Sequence, residues 1–190
     1  MTEEIKDQFP LSTSRQIQGT RKLAREKVLQ ILMAYEVSGT ELDVLYQHIF
    51  PRDYNFEEDN VEVGKLLRPE EIHEIEADTK ILWKPDDVEF VRNLLNYCSE
   101  TKTYVNEMIT SAVENWELDR LALIDRLLIL MATTEFLRCS DIPTKVSINE
   151  AIDIAKKYST DKSHLFINGI LDSFLIKLKS ENLIKKKGKG

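Results

Sequence analysis

Residues that interrupt helices are scarce in this chain, which has six Gly and five Pro among 190 residues. So few breaks exclude a sandwich or barrel built from many tight hairpins, and predict an all-α fold in which β structure is sparse. Cysteine is scarcer still. Cys98 and Cys139 stand in unrelated contexts with no C-x-x-C pair, which excludes a disulfide framework or a thiolate metal site and predicts two reduced, buried thiols. The three histidines, His48, His73 and His164, have no partners at helical spacing, so surface or capping roles are expected for them. The glycines form neither G-x-G-x-x-G nor a P-loop, and there is no G-x-S-x-G elbow or H-E-x-x-H motif. The chain therefore reads as noncatalytic, with no cofactor and no metal. No apolar run of about 18 residues occurs, and MTEEIKDQFPLSTSRQIQ lacks an apolar core of signal-peptide length. A cytoplasmic protein without membrane contact is expected.

Charge is plentiful and unevenly placed. Lys and Arg number 26 against 33 Asp and Glu, a net charge of −7, which taken whole argues against a basic nucleic-acid coat protein. By region, however, residues 1–40 carry +1, 41–90 carry −10 and 91–190 carry +2. The acidity belongs to the middle stretch. Residues 15–27 hold Arg15, Arg21, Lys22, Arg25 and Lys27 against the single acid Glu26. A second basic run, KKKGKG at 185–190, reads as a frayed, solvated tail.

Apolar periodicity places the helices. Ala24, Val28, Ile31, Leu32 and Tyr35 define an amphipathic helix over about 20–37 that stops near Gly39 and carries the basic patch. Another starts after Lys84-Pro85, with Asp86 as N-cap and Val91, Leu94, Leu95 and Cys98 on one face. A third, possible as its continuation after a kink at 99–101, turns Val105, Met108, Ile109 and Ala112 inward. The stretch from Leu121 to Leu137 is apolar nearly all round, as suits a central helix and the hub of the core. Within it, Asp125-Arg126 reads as a salt bridge or a partner contact sooner than as an acid–base pair. Ser147-Ile148-Asn149-Glu150 has the form of a capping box, and Ser163 that of the N-cap of a last helix with Ile167, Ile170, Leu171, Phe174, Leu175 and Leu178 in one stripe. Gly169 beside that stripe suggests a close helix–helix approach. A short surface helix is expected at 69–78, within the irregular acidic segment 51–86. On a helical wheel, with Ala24 at zero, Arg21 falls near 60°, Arg25 near 100° and Lys22 near 160°, roughly bordering the apolar face. Those cations could line a groove that holds phosphates, or simply form a solvated face with i, i+4 pairs.

Two stretches have the look of a known family. ENWELDRLALIDRLLILMATTEFLRCSDIPTKVSINEAIDIAKKYSTDKSHLFINGILDSF closely resembles the C-terminal half of the NusB family of bacterial transcription antitermination factors, with its Asp-Ile-Pro turn, its Val-x-Ile-Asn-Glu-Ala-Ile helix start and its Ser-His-x-Phe-x-Asn-Gly-x-Leu-Asp last helix. TRKLAREKVLQILMAYEVSG resembles the Arg-rich first helix of the same family. The likeness covers about 20–50 and 86–178.

The resemblance implies two adjoining helical bundles with about seven helices. It divides the chain into a flexible extension at 1–19, an N-terminal subdomain at 20–100 with the acidic insert 51–86, a C-terminal subdomain at 101–180 and a basic tail at 181–190. It further implies a noncatalytic adaptor that binds boxA-containing single-stranded RNA together with ribosomal protein ten of the small subunit. Such an adaptor acts with other antitermination factors and RNA polymerase, notably on ribosomal RNA. By position, Arg21, Lys22 and Arg25 match the family's basic RNA-contacting residues, and Lys162, Ser163, His164 and Phe166 match the loop and helix start that complete that surface. Single-stranded RNA is commonly read by cations on phosphates, aromatics under bases and amides at a helix start. Phe166 could stack on a base or pack in the core. Asp125 matches an acidic position that faces the ribosomal partner, with a buried pair as the competing reading. The chain departs from the family pattern at Met33, Leu130 and Lys162; the last puts a cation where an acid is common. The alternative from another class is the helical RNA-binding subunit of a ribosomal RNA methyltransferase, whose catalytic domain would be a separate chain.

Overall fold

A computed structural model describes residues 17–51, 81–112 and 121–186. The acidic cluster Glu57-Glu58-Asp59, the helix expected at 69–78, Arg15 and His73 lie outside the described residues. Within them the chain is helical, apart from one parallel bridge in which β1 (Ile17–Gln18) pairs with β2 (Ile81–Leu82).

Helix α1 (Arg21–Ser38) begins and ends where its sequence signals stand. Thr20 accepts the Leu23 amide at 3.2 Å as N-cap, and Gly39 takes the left-handed conformation (φ 67°) with its N–H on the Tyr35 carbonyl. Helix α2 (Leu42–Ile49) follows at once and was not expected, although Leu42, Leu45, Tyr46 and Ile49 carry the i, i+3, i+4, i+7 pattern. Helix α3 (Pro85–Ala112) is continuous through 99–101, where a kink was possible. It therefore runs across the boundary expected between residues 100 and 101. Pro85, and not an Asp86 cap, opens it, since a proline at N1 sacrifices no intrahelical hydrogen bond; Asp86 and Asp87 occupy the first turn at the positive end of the dipole.

Helix α4 (Leu123–Arg138) buries every residue from Leu127 to Phe136 and packs against α1, α3, α5 (Thr144–Tyr158) and α6 (Ser163–Ser180). It is the hub that its all-round apolarity suggests. One hydroxyl contact crosses the core beside it, Thr101 of α3 to Thr134 at 2.6 Å. Cys98 and Cys139 are both buried free thiols, and burial pushes Cys139 up to about 11.

Two helix starts differ from expectation. Helix α5 begins after Pro143, so Ser147 is not an N-cap; its hydroxyl is directed to Glu135, whose buried carboxylate is the stronger acceptor. Helix α6 has Lys162 at the N-cap position, and Ser163, already helical, turns its hydroxyl to Asp125. Gly169 faces open space, with nothing within 4 Å of where a Cβ would stand, so no close helix approach explains it.

Two expected loose ends are tied down where they are described. Trp83 lies over Gly19, so a Cβ there would run into the indole ring, and Trp83 stacks in turn on Phe50 (4.5 Å), which stacks on Tyr46 (5.2 Å). At the other terminus, Asn182 (φ 54°) closes α6 in a Schellman motif, with Leu183 N–H on the Leu178 carbonyl. Lys186 then donates to the carbonyls of Glu135 (2.8 Å) and Cys139 (2.6 Å) at the negative end of α4. That part of the basic run is docked, not frayed.

Candidate nucleic-acid interface

The three α1 cations expected to meet RNA, Arg21, Lys22 and Arg25, separate into two groups. Arg21 and Lys22 keep 45% and 48% of their side-chain surface exposed, whereas Arg25 keeps 6%. Arg25 is turned inward onto Glu135 of α4, its Nε on Oε1 at 2.7 Å and a terminal nitrogen on Oε2 at 3.1 Å, and Ser147 adds a third donor to the same carboxylate at 2.5 Å. The helical wheel does not separate the two arginines, because Arg21 at about 60° lies between Val28 at about 40° and Leu32 at about 80°, both buried. Leu32 and Leu29 fall at about 80° and 140° on it, either side of Arg25 at about 100°, and both are buried. Both arginines thus border buried residues, and Arg25 is the one that turns inward because Glu135 is there to meet it.

Arg21 is fixed on the surface by α3. Its Nε lies 3.0 Å from the buried carboxylate of Asp87, and its guanidinium carbon 4.5 Å from the centre of the Phe90 ring. Arg25 approaches the same ring at 5.1 Å. With its Nε used, Arg21 retains the terminal fork for a phosphate.

Lys22 reaches across to α5, where its Nζ meets Asp153 at 3.1 Å. One turn further along both helices, Lys157 meets Glu26 at 2.8 Å, and Glu26 also accepts the Tyr158 hydroxyl at 2.7 Å. The pairs 22 with 153 and 26 with 157 advance together by four residues, so α1 and α5 run side by side in the same direction along this seam. The hydrogen bond to Asp153 raises the Lys22 ammonium above its ordinary value, and that to Glu26 does the same for Lys157, so both are charged at neutral pH.

The seam leads into the turn that joins α5 to α6. Lys162 is exposed there, and its carbonyl accepts the Leu165 and Phe166 amides. His164 is half-buried, and Phe166 packs against the core with part of its surface open. Ser163 lies inside, and the structure brings it together with Asp125. That carboxylate, 6% exposed, accepts Ser159 at 2.5 Å and Ser163 at 2.7 Å, pinning the turn to the start of α4. Asp125 therefore faces its own chain, and Arg126 does not pair with it but points to Glu36 of α1 at 3.8 Å. Leu130 is buried in the core and Met33 is packed against it. Asp87, Phe90, Glu26, Asp153, Lys157 and Tyr158 were missed by the sequence reading. Only the Lys156-Lys157-Tyr158 run offered a local signal for any of them.

No group of three His, Cys, Asp or Glu among the described residues could hold a metal ion, and no described helix is long and apolar enough to cross a membrane. What the fold presents is a helical scaffold with cations and an aromatic along one seam. The NusB family model matches residues 22–175, and the chain belongs to that family. The transcription antitermination protein NusB of Chloroherpeton thalassium is 36% identical over 171 residues, which cover 90% of this chain and 68% of that protein. A solved structure of T. maritima NusB superposes with a TM-score of 0.63 at 27% identity, covering 87% of this chain and 99% of that one. The fold is shared, at TM-score 0.60 and 16% identity over 83% of this chain and 96% of the other, with a crystal structure of the antitermination factors NusB and NusE in complex with double-stranded RNA.

Proposed function

We propose that this chain is a noncatalytic transcription antitermination factor, an adaptor that binds boxA-containing RNA together with ribosomal protein ten of the small subunit. It joins other antitermination factors and RNA polymerase on nascent ribosomal RNA. The observation that carries the reading is the seam itself, with Arg21 and Lys22 exposed at the start of α1 and with Lys162 and His164 on the α5–α6 turn into which the seam leads, in a chain of the NusB family. Arg21, Lys22 and Lys162 take phosphates; His164 and the open part of Phe166 border the bases. Arg25, Ser163 and Asp125 act through the fold, holding α1 and the turn in place. The reading is tested by fluorescence anisotropy of a labelled boxA RNA, with and without the ribosomal protein. Tighter binding to boxA than to a scrambled RNA, strengthened by the ribosomal protein, is expected. Equal binding to both RNAs with the protein present overturns it.

A further inference from the structure

Three cations along the seam, Arg21, Lys22 and Lys157, each face a carboxylate, and the three carboxylates are held very differently. Asp87, with 9% of its side chain exposed, lies in the first turn of α3, where the helix dipole supports its charge. Glu26 is 8% exposed and accepts from two donors, Lys157 and Tyr158. Both are built into the fold and stay where they are when an anion arrives. Asp153 is 50% exposed, and its one side-chain partner among the described residues is Lys22, itself 48% exposed. A phosphate that docks on Lys22 must displace this carboxylate or accept its repulsion at close range.

We propose that Asp153 is an internal counterion that competes with RNA phosphate for Lys22, so that it sets the affinity and the salt dependence of this surface. The inference rests on the RNA-binding reading above. RNA phosphates shed condensed counterions when protein cations neutralise them, with a slope of log K against log salt of about −0.7 per phosphate on single strands. Lys22 adds little to that slope while Asp153 is beside it, and its release from Asp153 adds about one phosphate's share. The competition also penalises any RNA that engages the surface through phosphates alone, because base contacts are then absent to offset it.

The test uses the full chain and a boxA-containing single-stranded RNA, titrated at several salt concentrations. Asp153→Asn keeps the side-chain shape and removes the charge. The expected result is binding about threefold tighter at low salt, the scale of an exposed ion pair, with a slope steepened by roughly 0.7. The gain should vanish when Lys22 is already alanine, and the thermal midpoint of Asp153→Asn should match that of the unmodified chain. If the unmodified chain binds RNA but Asp153→Asn changes neither affinity nor slope, or gains as much in the Lys22→Ala background, the inference fails and the functional reading stands. If the unmodified chain binds no RNA, both fall together.

Discussion

Arg25 and Lys22 lie three residues apart and were read from the sequence as one patch, yet they do opposite work. Removing Arg25 strands Glu135, 1% exposed, without its cation, and breaking one side of a buried ion pair costs about 3–5 kcal/mol. Arg25→Ala should therefore lose most of the protein's stability in urea titration, and any loss of RNA binding by this variant should follow unfolding. Lys22→Ala removes an exposed pair worth at most about 1 kcal/mol, so its urea midpoint should barely move while RNA affinity falls. Equal effects of the two on stability would contradict the division. That a basic patch belongs to α1 was legible from charge spacing alone. Which arginine turns inward was not, because the decision lies with Glu135, 110 residues away, whose position only the packed fold supplies.

Helix ends show the same balance between local and distant causes. Thr20 and Gly39 bound α1 as their types require, because no described group competes for the threonine hydroxyl or for the glycine's left-handed φ. Ser147 and Ser163 also carry cap chemistry, but the buried carboxylates Glu135 and Asp125 claim both hydroxyls, and the helices start elsewhere. The two informative glycines separate in a similar way. At Gly169 the space is open and φ is not positive, so Gly169→Ala should stabilise the protein by up to about 1 kcal/mol through helix propensity. At Gly19 an added methyl group meets the Trp83 ring, and Gly19→Ala should cost about 1–3 kcal/mol and shift tryptophan fluorescence. Urea midpoints that move the same way in both variants would contradict this contrast.

Across the whole molecule, a net charge of −7 hides an organised surface, because the −10 of residues 41–90 offsets cations held elsewhere. The all-helical fold and the central place of α4 followed from scarce Gly and Pro and from an all-round apolar segment. The parallel bridge and the aromatic stack did not, since two-residue strands leave no periodicity and stacking partners are chosen in three dimensions. Deleting residues 55–78 should leave RNA affinity within about twofold of the full chain, measured by the same anisotropy titration; a larger loss would place the insert in the binding surface.

The stack of Tyr46, Phe50 and Trp83 gives that deletion its physical basis. Residue 51 leaves the described fold and residue 81 re-enters it on either side of the Phe50–Trp83 contact, while Gly19, two residues before Arg21, is pressed against the same indole. Closing a loop costs only about 0.6 kcal/mol more for each doubling of its length. The stack therefore acts as a knot at the neck of the insert. The length of chain between residues 51 and 81 can change, and the register of the first arginine on the seam is unchanged as long as the knot is tied.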